Sequence, residues 1–537
     1  MDQLKQIKAA ASRLKLDDSL LFLNHILGVS RDLTSDPKLE PLIRDAHPPV
    51  LPHIVHFLAK QLLLNASDLG TTTLGWAQFQ HLTGLCIGLE DPIQHDIAWK
   101  HADPSGFFER LLAQQIRSQN RNTLQKYGLA LGLFRDVGVV EWPKPYDLCS
   151  EIENELGMTV ESFIQLGQVA LALRTARLNG NSCIGTFTPM TLAEAFRQGI
   201  RCCVPELWTP FLERVSCDRD RFRQLANKDF YFVEDELFQQ FGLNPLRRFP
   251  ITRLGHDHYL AVDPELIVER VSSGLFYDLF ERSGTQFSNQ FGYAFDQFVG
   301  QLLSSVCPLD RLWSAAEWEQ SQGRCKPQSM KIGDWASIGD DNTILIECKS
   351  LRPTVELTTF GTDDSLAKVA NRVASAVKQL TGHAASINDG KWEKSGLYAR
   401  SIVGVVVTYG KFFTINGPFA RKRIRKILAD QGLAPIPFVV LSIEELDSVI
   451  RLVELGNNFD DVINRCATDE DSFDPLFKYR DELKQCAVSS GTFARGDELL
   501  RQITAGNSVS VRAPQTGINC FQPPQPNRKS ASVPDRN

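Results

Sequence analysis

Apolar side chains recur every three or four positions through the first part of the chain, for example at Leu4, Ile7, Leu14, Leu20, Leu23 and Ile26. This spacing lines one face of an α-helix. Proline-containing breaks near residues 48, 104, 143 and 205 separate the helical stretches. No segment repeats at a fixed period, which argues against a solenoid. The pattern predicts a large all-α region at residues 1–240.

A short β-like segment, Ile251–Val262, and a well-marked helix start follow that region. Asp263 is suited to cap a helix, Pro264 to occupy its first position, and Glu265 to lie in its first turn. These residues predict a helix from Pro264 to Arg282. Residues 241–286 are therefore expected to form a β-hairpin and a helix that connect two larger regions.

From about residue 313 to residue 446 the pattern changes to mixed α/β. A helix is predicted at Phe291–Val306, and further helices at Ser365–Ile387 and Pro418–Gln431. Between them lie short β-branched runs typical of buried strands, at Ile332–Ile338, Thr343–Ile346, Ile402–Thr408 and Pro437–Leu441. The fold class expected is α+β and multidomain: the all-α N-terminal region precedes an α/β core whose mixed sheet is flanked by helices.

The end of the chain changes character twice. Residues 448–503 continue with helical spacing and are predicted to be a helical extension. Residues 504–537 are polar and rich in proline, which predicts a disordered tail. The core domain is accordingly expected to span residues 287–447.

Composition narrows the classes of function. The chain has 537 residues, 43% of them hydrophobic, and a net charge of −6. That charge excludes a protein that coats nucleic acid through bulk basicity. No apolar run approaches the ~18–20 residues of a membrane span, and the N-terminus lacks the pattern of a signal peptide. Twelve cysteines without a CxxC pair exclude zinc ribbons. The expected location is the cytoplasm, without membrane attachment.

The segment from Lys331 to Ser350 carries the chemistry. A turn sequence at 339–342 separates two strand-like runs, which predicts a β-hairpin. If its centre falls between Asp340 and Asp341, Asp334 lies directly opposite Glu347, with Cβ atoms about 4.5–5.5 Å apart. Lys349 then shares their face, whereas Ile344, Ile346 and Cys348 point into packing.

Two opposed carboxylates repel each other unless a cation lies between them. Oxygen ligands suit Mg²⁺ or Mn²⁺ better than zinc, so Asp334 and Glu347 are predicted metal ligands. A bound metal polarises a phosphodiester and activates water, and Lys349 could orient that water or offset phosphoryl charge. The alternative is an exposed hairpin with a cross-strand charge cluster. A similar motif ending at Glu482 and Lys484 is rejected because its segment is predicted to be helical.

Asp334, Glu347 and Lys349 resemble the catalytic core of the PD-(D/E)xK nuclease superfamily, which has the restriction-endonuclease-like fold. The similarity covers residues 287–447, under a third of the chain. It implies a Mg²⁺-dependent nuclease built on a helix, a strand hairpin, a second helix and further strands. Asp296 matches an additional acid that some members carry on the first helix, and Gln379 is similar to a glutamine beside the active site. Gly333 departs from the family pattern, which has proline there.

Basic residues are concentrated near the predicted core. Between residues 391 and 426 the sequence contains nine lysines and arginines and a single acidic residue. Beside a nuclease-like site such a cluster favours phosphate contact, although a solvated helix face or a nuclear-localisation-like patch would have the same composition. Arg372 and Gln379 share a stripe of a predicted helix that could border the metal. The candidate nucleic-acid-binding residues are Arg372, Lys411, Arg421, Lys422, Arg423, Arg425 and Lys426.

The sequence thus predicts a metal-dependent nuclease acting on DNA or RNA, with tRNA among the candidate substrates. The helical N-terminal region is expected to recognise substrate, regulate the nuclease or sense a protein trigger. By analogy this organisation resembles bacterial defence effectors that act against phage. The alternative is a catalytically silent nucleic-acid-binding or scaffold protein that retains the fold. A homo-oligomer is compatible with either.

Overall fold

The structure is a computed structural model, and it describes most of the chain. The predicted tail lies outside the described residues apart from Thr504. In the described part no helix is both long and apolar enough to cross a membrane. The described ranges are 2–31, 36–67, 70–100, 123–140, 144–175, 177–178, 181–182, 186–187, 205–228, 239–255, 258–317, 333–339, 342–359, 363–389, 401–469, 472–485 and 491–504.

Helices dominate residues 1–240, as predicted. They are α1 (Asp2–Ala11), α2 (Leu16–Ser30), α3 (Leu39–Arg44), α4 (Pro52–Asn65), α5 (Trp76–Lys100), α6 (Thr123–Leu131), α7 (Leu148–Leu156), α8 (Val160–Thr175), α9 (Trp208–Val215) and α10 (Arg219–Ala226). A π-helical turn at Gly132–Asp136 extends α6. Side chains from α1, α2, α4 and α5 pack into one buried cluster, which gives this region a core of its own.

The region is not all-α, however, and the prediction is wrong on this point. It contains short strands, which are β1 (Val139–Val140), β2 (Tyr146–Asp147), β3 (Arg177–Leu178), β4 (Asn181–Ser182), β5 (Thr186–Phe187) and β6 (Ser216–Asp218). Strands of two or three residues are too short to display period-two alternation, so the helical pattern around them conceals them.

A four-stranded sheet crosses the predicted boundary at residue 240. The hairpin expected near residues 251–262 is present as β7 (Ile251–Arg253) and β8 (Tyr259–Ala261). Its strands also pair with β5 and β6, in the order β5-β8-β7-β6. The β6–β7 pairing is parallel. The connector is therefore integrated with the helical region by main-chain hydrogen bonds.

The helix that follows begins as predicted and ends sooner. The Asp263 side chain accepts a hydrogen bond from the Glu265 amide and caps α11 (Pro264–Val271). The predicted continuation of this helix to Arg282 is wrong. α11 ends at Val271, and a separate helix, α12 (Leu275–Ser304), begins after a short turn. Within α12 the backbone kinks at Gly284, where φ is +54°. The predicted helix at Phe291–Val306 is the second half of α12.

The predicted mixed sheet is present, with five strands in the order β13-β12-β11-β10-β9. The three strands β9, β10 and β11 pair antiparallel, and β11, β12 and β13 pair parallel. Trp335 lies opposite Ile346, which is the predicted hairpin register. The short first strand escaped prediction. The strands are β9 (Leu312–Ser314), β10 (Trp335–Ile338), β11 (Asn342–Lys349), β12 (Ser401–Thr408) and β13 (Phe438–Ser442).

Helices cover both faces of this sheet. The described helices that follow β11 are α13 (Val355–Thr359), α14 (Asp363–Asn388), α15 (Pro418–Ala429), α16 (Ile443–Glu454), α17 (Phe459–Thr468), α18 (Arg480–Gln485) and α19 (Gly491–Thr504). Along β12, Val405 belongs to the buried cluster that contains α12 and α16, and Val406 to the cluster that contains α14 and α15. This alternation is the period-two pattern of a strand buried on both faces.

Buried side chains also pack together across the other predicted domain boundaries. The buried cluster under α12 includes Phe134 and Phe163 of the helical region, Ile346 of the sheet and Leu499 of the last helix. The boundary predicted at residue 447 falls inside α16, which a reciprocal cap between Ser442 and Glu445 begins. In its described part, the stretch predicted as a helical extension at 448–503 contains the end of α16 and the helices α17, α18 and α19.

Candidate functional site

The candidate site lies where the β10–β11 hairpin meets helix α12. Asp334 directly precedes β10, and Glu347 and Lys349 are among the last residues of β11. Asp296 lies on α12, which packs against the hairpin through Phe298, Ile346 and neighbouring side chains. Four of the five predicted catalytic residues therefore lie at one end of the sheet.

The main chain on both sides holds Asp334 in place. Its amide donates to the Ile346 carbonyl at 2.9 Å, and its own carbonyl accepts from the Ala315 amide at 3.0 Å. Its carboxylate oxygen Oδ2 accepts from the Cys348 amide at 2.7 Å. Gly333, just before it, has a φ of +92°, a conformation that favours glycine.

Asp334 is consequently not the directly opposed partner of Glu347 that the sequence predicted. The ladder ends at the pair of Trp335 and Ile346, and the positive φ of Gly333 takes Asp334 out of the strand. Its carboxylate lies with Asp296 and Cys348 instead. One ligand atom from each of these three residues lies within 4.8 Å of the others.

Asp296 is half-buried beside a like charge. Burial, and then the nearby Asp334 carboxylate, raise the pKa of Asp296 to about 7, and the charge of Glu347 acts in the same direction. The Trp335 indole Nε1 donates to Asp296 Oδ1 at 2.7 Å and orients the carboxyl group. The raised pKa shows that this carboxyl group favours a proton beside Asp334, and a cation could take the proton's place.

Glu347 adjoins this cluster and is paired with the predicted lysine. Its side chain is 5% exposed. Lys349 Nζ donates to Glu347 Oε1 at 2.5 Å, so the two residues that the motif joins are in direct contact. The charge of Glu347 raises the pKa values of Asp296 and Cys348, which indicates its proximity to both.

Cys348 is the member of the cluster that the sequence missed. It was predicted to point into packing, and it does pack against the core below α12. Strand alternation also brings it to the face that carries Asp296, and that was the available signal. Burial, and then the neighbouring carboxylates, hold the pKa of its thiol well above the usual value, so the thiol stays protonated.

The donor set fits a hard divalent cation. Asp296 and Asp334 bring carboxylate oxygens together, the ligands that Mg²⁺ and Mn²⁺ prefer, and the Glu347 carboxylate is nearby. A protonated thiol is a poor ligand for either, so Cys348 is expected to border the ion. Zinc, which favours thiolate and imidazole, matches these residues less well.

Two other predicted residues stand apart from this cluster. Gln379 and Arg372 lie on the exposed face of α14, whose opposite face packs on the sheet through Val373 and Val377. Among the described residues, no hydrogen bond or ion pair joins either of them to the acidic cluster. Their roles stay predictions.

Arg421 does not belong to a nucleic-acid-binding surface, and this prediction is wrong. Its side chain is 1% exposed. The guanidinium donates to the carbonyls of Asn416, Ala467 and Cys466 at 2.9, 2.8 and 3.2 Å. Two of these carbonyls belong to the last turn of α17, where a cation is favourable. Arg421 therefore joins α15 to α17.

The remaining basic candidates differ in exposure. Lys422 and Lys426 are exposed on α15, whereas Arg423 and Arg425 are half-buried. Lys411 pairs with Glu445 at 3.0 Å. Lys391, Lys394 and Arg400, which contributed to the charge count, lie outside the described residues. The exposed positive charge in the described part of the cluster is thus smaller than its composition suggested.

The second motif, which the sequence analysis rejected, is helical as expected, since Glu482 and Lys484 lie on helix α18.

The chain matches no protein-family model, no curated protein and no solved structure. Its function therefore has to be inferred from the geometry of the acidic cluster and its surroundings.

Proposed function

We propose that this protein is a metal-dependent nuclease that hydrolyses phosphodiester bonds of DNA or RNA, with a site and core like those of the PD-(D/E)xK superfamily. The observation that carries the proposal is the convergence of Asp296 and Asp334, with Cys348, at one end of the hairpin, beside the contact of Lys349 with Glu347. Partly buried acids held close together are costly without a cation. Perturbed carboxyl groups of this kind are typical of functional sites.

The residues take distinct roles in this proposal. Asp296, Asp334 and Glu347 would hold Mg²⁺ or Mn²⁺, and Trp335 positions Asp296 through its indole hydrogen bond. The metal supplies Lewis acidity and lowers the pKa of a bound water. Lys349 pairs with the Glu347 carboxylate and would present its ammonium group to the phosphoryl oxygens, where negative charge increases during the reaction.

The helical region is placed to influence this site. Phe134 contacts Phe291 of α12, with ring centroids 6.2 Å apart. Gln297, next to Asp296, donates to the Val137 carbonyl at 2.7 Å. These contacts support a role for residues 1–240 in sensing a protein trigger or recognising substrate. We extend the proposal to a cytoplasmic effector of antiviral defence, with tRNA among its candidate substrates.

A catalytically silent nucleic-acid-binding or scaffold protein is the second candidate. The observation that favours it is the internal satisfaction of the charges: Lys349 neutralises Glu347, and the raised pKa of Asp296 relieves its repulsion with Asp334. Such a cluster could persist without a metal. This protein would bind nucleic acid equally well with Mg²⁺ or with EDTA.

The test is cleavage of duplex DNA, single-stranded DNA and bulk tRNA in Mg²⁺, Mn²⁺ or EDTA. Asp334→Asn and Lys349→Gln are each expected to lower cleavage by about 10²-fold or more. Asp220→Asn, whose carboxylate is 88% exposed on α10, is the matched control and should cut normally. Cleavage that persists in EDTA or in Asp334→Asn would overturn the proposal.

Metal binding gives a readout that is independent of activity. Free Mn²⁺ has a strong electron paramagnetic resonance signal that binding diminishes. Titration of the wild-type protein should show a site that is lost in Asp334→Asn and kept in Asp220→Asn. Equal Mn²⁺ binding by all three proteins, without cleavage, would favour the silent protein.

A further inference from the structure

Arg352 is an unusual residue for its position. It follows Lys349 by three residues, just beyond the end of β11. Its guanidinium carbon lies 3.4 Å from the ring centroid of Phe276, 5.0 Å from that of Tyr277 and 5.2 Å from that of Phe280. Among the described residues no carboxylate pairs with it, and its Nη1 atom is buried without a hydrogen-bond partner.

Such an arrangement is costly for the folded protein. A cation that is removed from water needs a counter-charge or a full set of acceptors. Contact with aromatic faces offsets only part of that cost. Burial lowers the pKa of Arg352, which is the direction expected for an incompletely compensated cation. An oxygen of a bound phosphate would satisfy both the charge and the free donor.

Two of the three aromatic residues around Arg352 are accessible to solvent. Phe276 is buried, but Tyr277 and Phe280 are 41% and 37% exposed. A third aromatic residue on α12, Tyr293, is 37% exposed and lies one turn before Asp296. Exposed aromatic rings beside an arginine are the usual components of surfaces on which unpaired bases stack.

The same helix connects this aromatic surface with the acidic cluster. A β-carbon at Gly292 of α12 would lie 3.9 Å from Ser350 Oγ, so the helix runs alongside the segment between Lys349 and Arg352. Three residues of extended chain span at most about 11 Å. A phosphate on Arg352 would therefore lie within a few nucleotides of one at Lys349.

We propose that Arg352, Tyr277 and Phe280 form a nucleotide subsite for an unpaired strand, with a backbone phosphate on Arg352 and bases stacked on the two exposed rings. The inference rests on the proposed nuclease function and specifies its substrate class as single-stranded nucleic acid. Base faces are hidden by stacking within a duplex and are free in an unpaired strand. The subsite therefore distinguishes an unpaired strand from a duplex, and it does not recognise the identity of the bases.

The test is fluorescence anisotropy of the full-length protein in EDTA, where cleavage does not interfere. One probe is a labelled single-stranded oligonucleotide of mixed sequence, and the other is the same strand annealed to its complement. Phe280→Leu removes an exposed ring, and Arg352→Gln removes the cation. The matched controls are Phe477→Leu and Arg44→Gln, whose side chains are well exposed elsewhere in the chain.

Wild-type protein is expected to prefer the single strand. Phe280→Leu and Arg352→Gln should each weaken that binding about 5-fold or more, with the duplex affinity and both controls little changed. Arg352→Lys should restore part of the affinity, because it keeps the charge and loses the planar contact. Thermal unfolding of each variant separates loss of the subsite from loss of folding.

Equal affinity of the wild-type protein for both probes would overturn the inference, and so would unaltered binding by Phe280→Leu and Arg352→Gln. Asp334→Asn distinguishes this failure from failure of the nuclease proposal. If Asp334→Asn still cuts while the single-strand preference holds, only the nuclease assignment fails. If Asp334-dependent cutting of a duplex accompanies equal affinities, only the subsite fails.

Discussion

The position of Asp334 depends on the residue before it. Gly333 has a φ of +92°, and a β-carbon there would lie 2.9 Å from the Ile346 carbonyl oxygen. Proline, which the family pattern has at this position, is restricted to a φ near −65°. The local backbone at Gly333 therefore excludes the proline of the PD-(D/E)xK pattern.

Restoring that proline should damage the protein. We expect Gly333→Pro to lower the free energy of unfolding by about 3 kcal/mol or more, and Gly333→Ala by about 1–2 kcal/mol. Urea unfolding measures both. Gly75→Ala, where a β-carbon would meet open space, is the control and should change stability far less. Wild-type stability in Gly333→Pro would contradict the structure.

Arg421 and Lys426 lie on the same helix and should behave differently when mutated. Arg421→Met leaves three buried carbonyls without their donor, and should lower the free energy of unfolding by about 2–4 kcal/mol. Lys426→Met, at an exposed position, should change it by less than about 0.5 kcal/mol.

Salt dependence of nucleic-acid binding supplies the second readout. If Lys426 contacts a phosphate, its loss lowers the slope of log affinity against log salt by about 0.7–0.9. Folded Arg421→Met protein should keep the wild-type slope. A reduced slope with unchanged stability in Arg421→Met would place that residue on the binding surface after all.

At the scale of elements, a buried acid joins three helices that are distant in sequence. Asp447 of α16 is 1% exposed. Gln125 of α6 donates to its Oδ2 at 2.7 Å, and the Thr492 hydroxyl of α19 donates to the other oxygen. Helices α6 and α19 are thus both connected to α16 through one carboxyl group.

This carboxyl group should make stability depend on pH. Burial raises the pKa of Asp447 from 3.8 to about 7, outweighing the hydrogen bond from Gln125 and the nearby charge of Arg451, whereas Glu454 and Glu444 add to the rise. The folded protein therefore holds the proton more tightly than the unfolded chain. This contribution to the free energy of unfolding is full below about pH 4 and is lost as the pH rises to about 7.

Asp447→Asn removes that dependence. Relative to wild type, the variant should gain stability between about pH 4 and pH 8, by up to about 4 kcal/mol. Urea unfolding across this range, with the exposed Asp481→Asn as control, measures the difference. A constant difference between Asp447→Asn and wild type at all pH values would show that Asp447 titrates normally.

At the scale of the whole molecule, the sheet shares its core with the helical region. One buried cluster includes side chains from α6, α8, α12, β11, β12, α16 and α19. A second cluster joins α1, α2, α4 and α5 to α10 and β8. The segment at residues 287–447 therefore supplies only part of the surface that buries α12.

A fragment of residues 287–447 should accordingly fail to fold cooperatively. It lacks Phe134, Phe163, Leu499 and the other partners of α12, which leaves an apolar face in water. Circular dichroism during thermal unfolding should show no sharp transition for this fragment, whereas the full chain should show one. A sharp transition for residues 287–447 would make that segment an independent domain, as the sequence suggested.

Elements whose pattern is local could be predicted from the sequence alone. Alternating β-branched residues marked β11, β12 and β13, and the turn sequence set the hairpin register. The Asp263 cap and Pro264 marked the start of α11. In each case the pattern depends on residues within a few positions of one another, so a single stretch of chain contains it whole.

Which distant side chains meet depends on how the elements pack together, and the sequence did not predict it. Trp335 and Asp296 are 39 positions apart, and Arg421 and Ala467 are 46 apart. Local periodicity predicts the face on which a residue lies, but not the partner that packs against that face. Such packing between distant elements produces the cluster of Asp296, Asp334 and Cys348. It also buries Arg421 and leaves the charge of Arg352 incompletely compensated.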